Sequence, residues 1–567
     1  MNVSPPPPQP AEIILLPLDD RPVNYDYPRM LASVAGVPMK LPPREWLGNP
    51  WRSSQHENLV EWLRDASPNA EAVIVAIDTL AYGGLIPSRV IPDAFETVVE
   101  RLGILSELKA ANPKRPIYAS SVIQRVSRAN SSEEEKPYWA EYGSRMFRLS
   151  YLEHKTALNE ASVDEIAERD ALLQDIPAEI YSDYMDIRAR NHKVNRYMLD
   201  VAKNGVVDYL LLPQDDTADY GWNIAEARHL QMLIRREGLT ERAITYPGAD
   251  EIGCLLLARH VCAQSGFTPR VFPRFSSSSS ATLITEYEDR PMLELLKAHL
   301  APLDGVVADD LDEADFLLFI NAPALKQGVG ELQWAAHCSK DELLHKIPGA
   351  LKRYAEDLYS DEYFQMTRRE MQTPLRSPEE FCRAIVNAVR GGKQVALADV
   401  AFVNGSDLIL GNQLVHHPEI ARLAGYGGWN TAGNTLGSVI AQTVIYTVAL
   451  KDDIQLEQRK AHLEFLFLRF LDDYCYQALE RSLCMLEDLP VYGLSPTEAR
   501  LPDGEIARNI EKKVAERLEK QAKILEKLFQ DAGVLKAARL FDIYLPWQRL
   551  FEIGCTVSAD LQVEGGA

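Results

Sequence analysis

The chain is poor in several features that would assign it quickly. Its seven cysteines (254, 262, 338, 382, 475, 484 and 555) are scattered and odd in number, with no CxxC pair, so neither a disulfide frame nor a cysteine zinc site is expected. No apolar run approaches the roughly 20 residues a membrane span needs. The start, MNVSPPPPQPAE, lacks the basic and apolar regions of a signal peptide and reads as a disordered arm over residues 1–11. Free thiols and no export signal make the cytoplasm the expected compartment. Positive charge is scarce: Lys+Arg 60 against Asp+Glu 82 leaves −22, which disfavours nucleic acid and anionic membranes as partners. There is no GxxxxGK[ST] loop and no GxGxxG after the first apolar run, so no nucleotide cofactor is expected. No internal repeat points to a solenoid or propeller.

What is present is an ordinary globular composition, 46% hydrophobic and 25% charged, over 567 residues. That length exceeds one small domain. Eight short apolar runs recur, at Glu12–Leu18, Ala72–Ile77, Pro116–Val122, Val206–Leu212, Ala243–Tyr246, Arg270–Phe275, Asp315–Ile320 and Val395–Ala398. Helical spacing follows most of them. Such alternation fits an α/β protein, and the reading adopted is a (β/α)8 TIM-like barrel over 12–450, with helical insertions at about 127–205 and 324–378. A multi-domain Rossmann-like arrangement would produce much the same string. Polar residues follow nearly every run, which favours one shared mouth. Residues 451–567 carry apolar positions at three- and four-residue spacing. They are expected to form a mainly helical domain against the barrel or a second subunit, a homodimer through these helices. The aromatic and β-branched stretch Leu540–Val563 adds a short strand pair.

The stretch VVDYLLLPQDDTADYGWN organises the rest. Its apolar run breaks at Pro213 into Gln214, Asp215 and Asp216, where the carboxyl end of a buried parallel strand collects ligands. Two adjacent carboxylates there split their pKa values, and one proton is held towards neutral pH, as acid catalysis requires. The bland alternatives are a magnesium site or a capping Asp beside a solvated one. Other run ends supply Asp19, Asp20, Arg21 and Asn24; Asp78, Tyr82, Ser88 and Arg89; Gln124 and Arg125; Asp250 and Glu251; Asn321; Asp399, Asn404 and Asp407; and Trp429, Asn430 and Asn434. No histidine is among them, which disfavours zinc chemistry and a Ser–His–Asp triad. His416-His417, ahead of a proline, reads as a surface turn.

Carboxylates, amides and an indole suit a sugar, with hydroxyls taken by Asp and Asn and a ring face covered by Trp429. Plainer roles weigh against each assignment. Arg21 and Arg89 can simply hold carboxylates, and Asp19 and Asp78 can form a rigid network. Asn24 and Asn404 can cap, Gly83-Gly84, Gly248 and Gly427-Gly428 can serve turns, and Trp429 can be core.

The acidic pair resembles that of retaining N-acetylhexosaminidases with adjacent acids after barrel strand four. That resemblance implies a nucleophilic acetamido oxygen on the substrate itself, Asp215 to polarise it, and Asp216 to protonate the leaving oxygen and later activate water. Over most of the chain, the phrases LPLDDRPVN, AIDTLAYGGLIPSR, LLPQDDTADYGWN, YPGADEIG, LADVAFVNGSD and GYGGWNTAGNTLG resemble the bacterial DUF4127 family, a family of unknown function that brings no mechanism with it. The expectation is therefore a β-N-acetylhexosaminidase on GalNAc or GlcNAc, with a carbohydrate as its substrate and no metal. The rivals are a magnesium- or manganese-dependent hydrolase or lyase, with the ion on Asp19, Asp78, Asp215 and Asp216, and a non-catalytic glycan-binding protein.

Overall fold

The computed structural model describes residues 12–346, 352–497, 500–502 and 504–562; the arm expected over residues 1–11 lies outside them. The chain divides after His260 into two compact units.

In the first unit, strands β1 (Glu12–Leu16), β2 (Met39–Lys40), β3 (Ala70–Ala76), β4 (Ile117–Ser120), β5 (Tyr209–Gln214) and β6 (Ala243–Pro247) form one sheet in the order β2-β1-β3-β4-β5-β6. Every pairing is parallel, in register such as Leu16 with Val75 and Ala119 with Leu210. The strands are near-continuous apolar because helices cover both faces. Ile14, Val73, Val75, Leu210 and Leu212 pack with Leu59, Leu63, Leu102, Val194 and Met198 from those helices. Each such side chain contributes about 1.5–3 kcal/mol on burial. The segment expected as an insertion carries the helices Trp139–Ala157, Val163–Asp175 and Ala178–Lys203, with a small core of Trp139, Met146, Leu149, Tyr184 and Trp222.

The second unit builds another parallel sheet, from β7 (Arg270–Phe275), β8 (Val306–Val307), β9 (Phe316–Asn321), β11 (Val395–Asp399) and β13 (Gly425–Gly427), in the order β13-β11-β9-β7-β8. A two-stranded pair, β10 (Gly328–Val329) with β12 (Phe402–Val403), stands apart from it. The helix Ala432–Lys451 is buried along most of its length. Beyond it come the helix Leu456–Arg469, a π-wound stretch Phe470–Glu480, the helix Glu505–Asp531 and an antiparallel hairpin of β14 (Leu535–Tyr544) and β15 (Gly554–Leu561).

All eight apolar runs are strands, but they do not close into the expected eight-stranded barrel. They pair as two open sheets. The reason lies in three strands too short to show periodicity. The chain leaves β1 for the two-residue β2 on one side and then crosses to β3 on the other; β7, the two-residue β8 and β9 repeat the manoeuvre. With the three-residue β13 at the far edge, the second sheet has the doubly wound order 2-1-3-4-5, and the first has the same order extended by a sixth strand.

Candidate active site

In a doubly wound sheet the crevice for a ligand opens outside the carboxyl ends of the strands where the order reverses, here beyond β1 and β3. The two ends are tied together by Thr79, whose hydroxyl lies 2.6 Å from the Pro17 carbonyl and 2.7 Å from that of Leu18. After β1, Asp19 accepts from Arg21 (Nη2, 2.7 Å; Nε, 3.0 Å) and from Asn24 Nδ2 (3.0 Å). The same guanidinium reaches beyond β6 to Asp250, at 2.5 Å. Glu251 beside it is fully buried, as are Asn24 and Gln214.

After β3, the short helix Ile77–Tyr82 ends on Gly83 in a left-handed conformation, and Asp78 in its first turn accepts from the Val122 backbone N–H at 2.9 Å. Burial pushes Asp78 up to about 7; the neighbouring charge of Asp215 adds to this, while the Val122 N–H and Arg89 oppose it. Tyr82 is buried under the guanidinium of Arg190, 4.9 Å from its ring centre. Burial first and Asp78 second raise its hydroxyl well above the usual range.

The acidic pair follows β5. Asp215 accepts from Arg89 Nη2, and Asp216 accepts from Arg125 Nη1 at 3.1 Å. Neighbours on a regular strand point to opposite faces. Here the strand has ended, and Asp216 takes φ +47°, a left-handed conformation that Asp tolerates better than most residues. Each carboxylate thus rests on its own guanidinium. Burial raises Asp215 to about 6 despite Arg89 and Arg125, with Asp216 and Asp250 helping. The two arginines are themselves gripped from the inserted segment: Arg125 by Glu134 (2.8 Å), and Arg89 by the Glu134 carbonyl (3.2 Å) and Glu135 (3.4 Å). Arg188 donates to the carbonyls of Gln124 (2.9 Å) and Arg125 (3.0 Å), fixing the turn after β4.

A family model matches residues 13–556, that of the protein of unknown function DUF4127. The chain belongs to the DUF4127 family. A search of curated proteins gives no match.

In this DUF4127 chain the buried Ser88 gives its hydroxyl to the Leu85 carbonyl at 2.6 Å, and further residues singled out belong to the second unit. Asn321, ending β9, donates to Asp399, ending β11, at 2.8 Å, and to Asp407 at 3.2 Å. Arg376 pairs with Asp407 and with Glu370, at 2.8 Å to the latter. Burial drives Asp399 up to about 8, the charge of Asp407 adding to it. Asn404 (φ +61°) and Asn430 (φ +79°) serve left-handed turns, with the Asn404 N–H bonded to the Asn430 carbonyl. Trp429 is buried, its indole N–H given to the Phe551 carbonyl at 3.1 Å. At 3% exposure and packed on the Phe551 ring, it sits as a core residue of the second unit. Asp473, from the π-wound stretch, accepts the Gly428 N–H beside it and is paired with Arg469, the last residue of the helix before that stretch.

Sequence reasoning singled out neither Glu134 and Glu135, which stand in the polar stretch SSEEEK, nor Arg376 and Glu370. Among the described residues, no three His, Cys, Asp or Glu side chains group as metal ligands. Asp19, Asp215 and Asp216 instead face arginines, which a divalent ion would have to displace. No helix among the described residues is long and apolar enough to cross a membrane.

Proposed function

We propose that the first unit is a glycoside hydrolase acting on a β-linked N-acetylhexosamine, with Asp215 as its general acid and base. The observation that carries this reading is the convergence of two carboxyls, Asp78 beyond β3 and Asp215 beyond β5, which flank β4 in the sheet and which burial holds at about 7 and about 6. A general acid works best with its pKa near the operating pH. Of the two, Asp215 is the accessible one, with 14% of its side chain exposed, whereas Asp78 is buried.

In this reading the Asp215 O–H gives its proton to the glycosidic oxygen as the bond to C1 breaks. The substrate's acetamido oxygen closes on C1, and Asp215, now a carboxylate, takes a proton from the water that opens the intermediate. Asp216, turned outwards by its left-handed backbone and steadied by Arg125, orients the acetamide. These roles exchange those implied by the hexosaminidase resemblance, because the carboxyl that burial favours as a proton donor is Asp215.

The test is a screen of chromogenic aryl glycosides, N-acetylated and plain, with and without EDTA. Turnover of an N-acetylated substrate, insensitive to EDTA and absent in Asp215→Asn, is expected. Full activity in Asp215→Asn, or activity lost to EDTA and restored by metal, overturns the reading.

A further inference from the structure

One buried acid that the mechanism leaves unused touches both arginines of the acidic pair. Glu135 lies on the segment between β4 and the helix Trp139–Ala157, and its side chain is 2% exposed. Its carboxylate sits 3.4 Å from Arg89 Nη1 and 3.5 Å from Arg125 Nε. Those are the two guanidinium groups that hold Asp215 and Asp216. Its neighbour Glu134 takes the outer side of Arg125 at 2.8 Å and lies 3.5 Å from Arg89. A surface charge run would not have its last acid sealed against two arginines of another cluster.

We propose that Glu135 is a positioning residue that acts on Asp215 through Arg89 and Arg125, drawing part of their positive charge away so that Asp215 keeps a proton it would otherwise lose. The proposal rests on the acid role given to Asp215 above. The groups facing Asp215 are Arg89 and Asp78 from beyond β3, Arg125 from beyond β4, Asp216 on its own turn and Asp250 from beyond β6. Those facing Glu135 are Arg89, Arg125, Glu134 and the phenols of Tyr138 and Tyr184. Two arginines shared among Asp215, Asp216, Glu134 and Glu135 stabilise the ionised form of each acid less than a dedicated partner would. Removing Glu135 returns both guanidinium groups to the catalytic pair. Burial of Glu135 itself raises its own pKa, which is what a strongly desolvated acid held by shared arginines should show.

The experiment compares full-length wild type, Glu135→Gln, Glu135→Asp, Asp215→Asn and the Glu135→Gln/Asp215→Asn double variant. A general acid must be protonated, so activity falls as pH rises through its pKa. With Glu135 neutral that alkaline limb moves to lower pH by about half to one pH unit, within the range a nearby charge produces. Glu135→Asp, which keeps the charge but withdraws it, moves the limb less in the same direction. The second readout needs no substrate: chemical unfolding of the four Gln and Asn cycle members at pH 5 and pH 7. The effect of Glu135→Gln is expected to change between the two pH values when Asp215 is present, and to change less when it is Asn. A limb that stays in place in Glu135→Gln (or in Glu135→Asp, should the Gln variant not fold), together with additive stabilities at both pH values, overturns the proposal. If the wild type cleaves no glycoside at all, the hydrolase reading fails alone and the unfolding cycle decides the role of Glu135.

Discussion

The two units share a strand order and differ in what they do with its carboxyl edge. In the first, the polar cluster remains partly open: the Asp216 side chain is 25% exposed, and its partner Arg125 and the neighbouring Asp215 are also partly exposed, over a buried Arg89. In the second, Asn321, Asp399, Asp407, Arg376 and Glu370 form a closed set with essentially no exposure. Its members partner one another and nearby backbone N–H groups such as those of Ala324 and Ile409, so the second edge reads as a rigid polar core. A buried charged pair of this kind adds little net stability over an apolar replacement, yet breaking it leaves a charge stranded. Topology therefore says where a site can form. Whether one forms depends on whether neighbouring segments seal the edge or leave part of it wet.

The comparison can be broken most severely in the second unit. Arg376→Met strands Asp407 and Glu370 in the interior and is expected to cost about 3–5 kcal/mol in chemical unfolding; a loss below about 1 kcal/mol would show that the set is not a coherent core. In the first unit the corresponding change is chemical. Asp215→Asn should leave the unfolding midpoint close to wild type and lower glycoside turnover by about 10²–10⁴-fold, the usual contribution of a general acid. Equal turnover would place the acid elsewhere.

Next in size is a pH effect on stability. Asp399 is raised in the folded state to about 8, from roughly 3.9 in an unfolded chain. The folded protein thus keeps a proton that the unfolded chain releases. That stabilising contribution is fully present below about pH 4 and is lost as pH rises through about 8. Asp399→Asn should flatten this decline in unfolding titrations across pH 4–8, and an unchanged slope would contradict the closed, desolvated site. The smallest effect concerns Trp429. Trp429→Phe removes one hydrogen bond to the Phe551 carbonyl and should cost about 1 kcal/mol. Glycan affinity, measured by calorimetry, should not change, whereas a sugar platform would lose it.

Much of this was legible along the chain. The eight apolar runs mark eight real strands, and the Asp215-Asp216 break falls where β5 ends. The tail expected as a strand pair is the β14–β15 hairpin. Asp19, Arg21, Asp78, Arg89 and Asp250 were recognisable because each follows such a run. Glu134 and Glu135 were not, since three consecutive glutamates in a polar loop look the same whether solvated or sealed. Nor could Met39–Lys40, Val306–Val307 and Gly425–Gly427 be read as strands, being too short to carry a period.

What the sequence determined by itself is local: which segments are strands or helices, and which polar side chains stand at their ends, because a two- or 3.6-residue period and a breaking proline or glycine act over a few residues. The tertiary structure decided the rest. Pairing order turned one expected ring into two sheets, and contacts between residues distant in sequence, Arg89 with Asp215 and Arg376 with Asp407, chose which edge is open and which is closed. Such contacts leave no periodic trace, since their free energy depends on desolvation and geometry that exist only once the chain has folded.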